Sequence, residues 1–207
     1  MIHKKEFWLI VAISIVLAFT ISLIRSWQLL LYSLALIFLV ILVNIFAKKI
    51  IAYYFSSEIE IKLWEIERYG FKPQKYFKKP FPAGVFLPIL ITVLSVGNFI
   101  WLASLIFEIK PKTYRTKKKS LYKFSEITEE TMGLIAAIGI AANLIFAFIA
   151  YLINVPDLAR LSIYYACFNL IPYSSLDGNK IFFGKLSLWA VLGVISLLAL
   201  FYALVLI

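Results

Sequence analysis

The chain has 207 residues, of which 63% are hydrophobic, and its formal net charge is +10. Soluble domains are about half apolar, and a chain of this length cannot bury so large an apolar excess in one core. Composition therefore excludes a soluble enzyme, a secreted disulfide scaffold and a disordered tail. The basic residues cluster beside apolar runs, which indicates the positive-inside rule and lipid contact rather than a nucleic-acid partner. We expect an integral helical membrane protein.

Several apolar runs are long enough to cross about 30 Å of hydrocarbon. The predicted spans are 7–24, 28–47, 134–153, 161–176 and 188–207. Together with the segments between them, they predict a single integral membrane domain over residues 1–207. The fold class expected is an all-α polytopic membrane protein with about five transmembrane helices, a re-entrant segment and a small membrane-associated β element.

Three segments between the spans have other patterns. Segment 56–82 contains Glu58-Ile-Glu-Ile-Lys-Leu-Trp64, whose period-two alternation predicts a half-buried strand. Segment 84–109 is long enough to cross the bilayer, but Pro88 and the Gly97-Asn98 pair interrupt it. If it crossed, the basic segment 110–131 would lie on the opposite face from the basic residues of 56–82, against the positive-inside tendency. A re-entrant segment with a cytoplasmic N-terminus is therefore expected.

A polar break at Asn169-Leu-Ile-Pro-Tyr-Ser-Ser-Leu-Asp-Gly178 lies at the end of the fourth predicted span. Pro172 ends the helix there, and Asp177 is then placed near a membrane surface. A carboxylate in such a break is costly in lipid unless a cation or hydrogen bonds hold it, which indicates a functional group. The alternative is an interfacial turn with a solvated aspartate.

This segment resembles the N-x-x-P-x-x-x-x-D-G signature of the site-2 protease family, the intramembrane zinc metalloproteases. Upstream, Gly139-Ile-Ala-Ala-Asn143 is similar to the G-P-x-x-N element of that family, with isoleucine in place of proline. The resemblance implies a site-2-protease-like core in which Asp177 takes the position of the third zinc ligand. It also implies four residues around the substrate: Gly139, Asn143, Asn169 and Pro172.

The catalytic H-E-x-x-H motif of that family is missing. Its two histidines, four residues apart, bind zinc, and its glutamate acts as general base, whereas this chain has one histidine, at position 3. The distance to a Glu-rich strand and to the Arg68–Gly70 turn aligns the motif with Asn44-Ile-Phe-Ala-Lys48. Asn44 and Lys48 then stand at the histidine positions, and Ile45 replaces the base. We expect no catalytic residue, no zinc and no other cofactor, with Asp177 as a residual ligand position.

The substitutions themselves suggest a replacement for the metal. Asn44 and Lys48 are one helical turn apart on one face, so Lys48 is predicted to form an ion pair with Asp177. The alternative is that Lys48 extends to the lipid headgroups.

The function expected is that of an inactive site-2-protease-like protein, which binds transmembrane or juxtamembrane segments by strand addition without cleaving them. Its partners would be membrane lipids and such segments, and its location a prokaryotic cytoplasmic membrane. Two alternatives stay open: an active intramembrane metalloprotease that uses ligands not evident in this chain, and a small membrane carrier or channel.

Overall fold

The computed structural model describes residues 3–23, 26–68, 76–111, 113–115, 122–124 and 128–205. Within them the helices are α1 (Lys4–Ser22), α2 (Trp27–Tyr54), α3 (Ala83–Leu94), α4 (Glu129–Leu152), α5 (Pro156–Asn169), α6 (Asp177–Gly184) and α7 (Leu186–Val205). The strands are β1 (Ser57–Leu63), β2 (Ile66–Arg68), β3 (Tyr76–Phe81), β4 (Leu105–Pro111), β5 (Thr113–Arg115) and β6 (Tyr122–Phe124). Most of the predicted Arg68–Gly70 turn and much of the basic segment 110–131 lie outside the described residues.

Four helices, α1, α2, α4 and α7, are long and apolar enough to cross a membrane. The chain is therefore a helical membrane protein, as its composition predicts. The predicted span 161–176 overlaps α5, which has 14 residues and ends at Asn169. At 1.5 Å per residue α5 is about 21 Å long, less than the hydrocarbon thickness. The count of five crossings stays a prediction.

Helix α4 is the centre of the bundle because its small residues let other helices approach closely. A Cβ atom on Gly133 would lie 3.0 Å from the carbonyl oxygen of Lys180, and one on Gly184 would lie 2.5 Å from the carbonyl oxygen of Glu129. The first contact fixes the start of α4 against α6, and the second fixes the end of α6 against α4. Helix α2 packs on another face of α4.

The segment predicted to be re-entrant is a helix followed by an extended return. Helix α3 is 12 residues long, which corresponds to about 18 Å. Beyond it the chain turns at Gly97, whose φ is +79° and whose Cβ position would lie 2.3 Å from Leu23 Cδ1 at the end of α1. The chain then returns to β4, which pairs with β1. Both ends of the segment thus lie beside β1, while its turn reaches the far end of α1.

Strand β1 is the half-buried strand that the period-two pattern predicts. Ile59 and Ile61 are buried, whereas the side chain of Glu60 is partly exposed. The strand pairs antiparallel with β4, with Ile61 opposite Phe107. The N–H of Trp64 donates to the Ser104 carbonyl (2.9 Å). Even-numbered residues of β1 therefore direct their backbone groups toward β4, and odd-numbered residues direct theirs toward the outer edge.

Charged side chains from α1 and α6 form hydrogen bonds to the two strands at one residue pair, Ile61 and Phe107. On the outer edge of β1, Glu6 Oε1 accepts the N–H of Ile61 (2.9 Å), and Glu6 Oε2 pairs with Lys49 Nζ (2.8 Å). On the outer edge of β4, Lys180 Nζ donates to the Phe107 carbonyl. Because buried backbone groups need partners, these side chains fix the sheet against the helices.

We expect Glu6→Ala to destabilise the protein by about 3 kcal/mol, since it removes the acceptor for the Ile61 N–H and half of a largely buried ion pair. Glu6→Gln is the matched control, because its amide oxygen can still accept that N–H, and its loss should be smaller. The free energy of unfolding in detergent micelles measures both. Equal losses for the two variants would contradict a role for Glu6 in capping β1.

Candidate functional site

The site centres on a buried ion pair between α2 and α6. Lys48 Nζ donates a hydrogen bond to Asp177 Oδ2. The side chains are 4% and 0% exposed, respectively. The pair predicted from the sequence is therefore present, and Lys48 does not extend to the surface. A carboxylate so deeply buried needs a cation nearby, because an isolated charge in a low-dielectric interior is strongly unfavourable.

Glycines let the backbone approach this pair closely. A Cβ atom on Gly139 of α4 would lie 2.4 Å from Lys48 Cε and 3.0 Å from Asn44 Nδ2. A Cβ atom on Gly178 would lie 2.0 Å from the carbonyl oxygen of Leu170. Gly139 thus allows α2 to bring Asn44 and Lys48 against α4. Gly178 allows α6 to begin directly beneath the end of α5, which places Asp177 opposite Lys48.

A second cation near Asp177 is Lys180, which the sequence reasoning missed. Its Nζ lies 3.7 Å from the centre of the Phe107 ring, and Lys48 Nζ lies 5.1 Å from the same ring. The aromatic face attracts both ammonium groups. Burial lowers the pKa of Lys180 to about 8, opposed by the charge of Asp177 and assisted by that of Lys48. The signal in the sequence was its spacing, three residues after Asp177, which places both on one face of α6.

Of the other predicted residues, three lie inside the bundle and one, Pro172, lies at the surface. Ile45 belongs to the hydrophobic core and is 2% exposed. Asn169 is buried and donates from Nδ2 to the Tyr165 carbonyl (2.8 Å). Asn143 is fully buried, and neither its Oδ1 nor its Nδ2 has a hydrogen-bond partner among the described residues. Pro172 is exposed in the loop between α5 and α6.

The residues at this site do not fit a zinc ion. Nowhere in the part of the chain that the structure describes do three His, Cys, Asp or Glu side chains form a group that could hold a metal. At the predicted position the ammonium of Lys48 faces the carboxylate of Asp177, and a cation there would repel a divalent ion. Asn44 supplies an amide, which is not among the usual zinc ligands.

A groove of about 880 Å³ lies beside the site. It runs between the start of α1, strands β1 and β2, and loop 173–175, which ends two residues before Asp177. Its residues are Lys5, Glu6, Leu9, Glu60, Ile61, Lys62, Leu63, Glu65, Ile66, Glu67, Ile106, Glu108, Tyr173, Ser174 and Ser175. The rings of Trp64 and Tyr173 meet edge to face at 6.1 Å, so the loop is held against the end of β1.

The outer edge of β1 opens into this groove. Glu6 occupies the N–H of Ile61, but no described residue is hydrogen-bonded to the outward N–H of Leu63 or to the outward carbonyl of Ile61. Unpaired edge groups of this kind can pair with another extended chain. The structure therefore brings Asn44, Lys48, Gly139 and Asp177 together beside an open strand edge. None of these four residues lines the groove, and Asn143, Asn169 and Pro172 do not line it either.

No protein-family model matches this chain, and comparisons with curated proteins and with solved structures gave no match either. The motifs and the geometry of the site are therefore the basis on which a function can be assigned.

We expect Lys48→Met to destabilise the protein by about 3–5 kcal/mol, because it leaves the Asp177 carboxylate buried without its main partner. The double variant Lys48→Met/Asp177→Asn should recover most of that loss, since neither charge is then present. Denaturant unfolding in detergent micelles of the wild type, Lys48→Met, Asp177→Asn and the double variant gives the four free energies needed for a double-mutant cycle. Additive losses from the two substitutions would show that the pair is not energetically coupled.

Proposed function

We propose that this chain is a catalytically inactive, site-2-protease-like membrane protein that binds an extended transmembrane or juxtamembrane segment without cleaving it. The observation that carries the proposal is the Lys48–Asp177 ion pair. Lys48 stands where that family has its second zinc-binding histidine, and it neutralises the carboxylate that would be the third ligand. Gly139, in the segment that resembles the G-P-x-x-N element of that family, lies against both Lys48 and Asn44.

The residues available at the site argue against hydrolysis. Ile45 stands at the position of the general base and is packed in the core, so it cannot activate water. Lys48 is engaged by Asp177, and its ammonium is not free to act as a base. The alternative of an active metalloprotease would require ligands from another chain.

Strand addition is the binding mode that this geometry supports. The groove is bounded on one side by the outer edge of β1 and on the other by loop 173–175. A segment that pairs with Leu63 and Ile61 would lie between them, held by main-chain hydrogen bonds. Helix α1 begins beside β1, so a cytoplasmic N-terminus, as the charge pattern predicts, would place the groove on the cytoplasmic side of a prokaryotic membrane. Lipids would surround α1, α2, α4 and α7.

The proposed relationship to the site-2 protease family can be tested by introducing the two missing histidines. We expect Asn44→His/Lys48→His to bind Co²⁺ or Zn²⁺ in a one-to-one ratio, because two imidazoles one helical turn apart would then face Asp177. Cobalt absorption spectra and calorimetry measure the binding. Adding Asp177→Ala to the double variant should weaken it at least about tenfold, as for loss of a ligand. A folded double variant that binds no metal would overturn the proposed relationship.

The binding mode can be tested with a defined probe, a model transmembrane peptide that carries an extended, fluorescently labelled juxtamembrane segment. In nanodiscs, Leu63→Pro should abolish binding, because it removes the outward N–H while leaving the β1–β4 hydrogen bonds intact. Leu63→Ala is the matched control, since it shortens the same side chain but keeps the N–H, and it should retain binding. Mass spectrometry should show the peptide uncleaved. Cleavage, or equal binding by Leu63→Pro and wild type, would contradict the proposal.

A further inference from the structure

The groove is acidic in a strongly basic protein. The whole chain has 21 Lys+Arg and 11 Asp+Glu residues, yet among the residues that the structure describes the groove is lined by five glutamates and two lysines. The glutamates are Glu6, Glu60, Glu65, Glu67 and Glu108. Nearly half of the acidic residues therefore lie in one surface feature, whose charge is opposite in sign to that of the chain. Such a concentration of one charge raises the local concentration of ligands of the other sign.

Part of this negative charge is already paired. Glu6 pairs with Lys49, Glu60 with Lys110 (2.7 Å), and Glu108 with Lys62. The hydrogen bond from Lys62 to Glu108 raises the pKa of that lysine, and the charges of Glu108, Glu60 and Glu65 raise it further. The surroundings of Lys62 in the groove are thus electronegative.

The unpaired charge is at the β2 end of the groove. Glu65 and Glu67 are exposed, and neither forms an ion pair with any residue that the structure describes. Lys78 and Lys79 are on β3, the partner of β2, but they do not line the groove. A cationic ligand could therefore meet two exposed carboxylates, neither of which forms an ion pair with a described residue, although the charge of Lys62 interacts with Glu65.

The strand edge determines how a ligand would meet these carboxylates. Glu6 closes the edge at the Ile61 N–H, so an added strand must pair from the Ile61 carbonyl toward Leu63 and on toward Glu65 and Glu67. In a strand every second side chain points to the same face. Side chains on one face of the added strand would lie beside Glu60. Those on its other face would lie beside the buried, apolar side of the sheet.

We propose that the groove selects an extended basic juxtamembrane segment, with Lys or Arg at alternate positions and apolar residues between them. This inference rests on the proposed function and names the class of segment that is bound. Cytoplasmic flanks of transmembrane helices are rich in Lys and Arg, so such segments carry the charge that complements the groove. Acidic flanks would be rejected by Glu65 and Glu67.

The test uses the full chain in nanodiscs of zwitterionic lipid and three peptides, each a single transmembrane helix with an extension that alternates valine with lysine, glutamine or glutamate. We expect the lysine peptide to bind about fivefold more tightly than the glutamine peptide, the scale expected for a few exposed ion pairs, and the glutamate peptide to bind most weakly. Raising the salt concentration to about 0.5 M should remove the difference, because exposed charges are then screened.

The decisive variant is Glu65→Gln/Glu67→Gln. It should bind the lysine and glutamine peptides equally, because the carboxylates that favour lysine are then neutral. Glu129→Gln/Glu130→Gln, a change of two exposed glutamates at the start of α4 outside the groove, is the matched control and should keep the preference for lysine.

The outcomes separate this inference from the proposed function. Equal binding of the lysine and glutamine peptides by the wild type would overturn the basic class of ligand and leave the binding of extended segments intact. Failure to bind any of the three peptides would overturn both. Self-association of the chain that is lost in Glu65→Gln/Glu67→Gln would show that the groove binds a second copy of this chain. That result would overturn the proposal that it binds a segment of another protein.

Discussion

The buried ion pair between Lys48 and Asp177 is the interaction on which the arrangement of α2, α4 and α6 depends. A carboxylate with no exposed surface cannot be left without a cation, so α6 must begin where α2 can reach it. Gly139 and Gly178 provide the close backbone approach that this requires. Replacing such a pair with apolar residues is often neutral or favourable for stability. Its energetic value is thus in fixing position, because it specifies which faces of the helices meet.

The small sheet is held to the same framework by charge as well as by apolar packing. Glu6 from α1 accepts the Ile61 N–H on the outer edge of β1, and Lys180 from α6 donates to the Phe107 carbonyl on the outer edge of β4. Ile61 and Phe107 are paired residues of the two strands. Lys180 is also three residues from Asp177 on α6, and both lysines contact the ring of Phe107. The ion pair, the aromatic ring and the strand therefore form one connected unit.

Sequence patterns predicted the parts of this structure that depend on local periodicity or on a motif. The long apolar runs predicted α1, α2, α4 and α7, and period-two alternation predicted β1. The shared helical face of Asn44 and Lys48, together with an aspartate in the polar break, predicted the pair with Asp177. Lys180 and Glu6 were missed, because their roles depend on contacts with Phe107 and Ile61, which are 73 and 55 residues away. A short-range sequence pattern does not predict which strand edge a charged side chain will reach.

The hydrogen bond between Glu6 and the Ile61 N–H also bears on the register in which an added strand would pair with β1. A guest strand that slides by one residue exchanges all of its inward and outward side chains. An open-ended edge would permit several such alignments. Here the Glu6 carboxylate ends the free edge at a defined atom, the Ile61 N–H. If the groove binds an added strand as proposed, that strand would have one fixed starting point, and the groove would distinguish two peptides of identical composition whose alternating residues are offset by a single position.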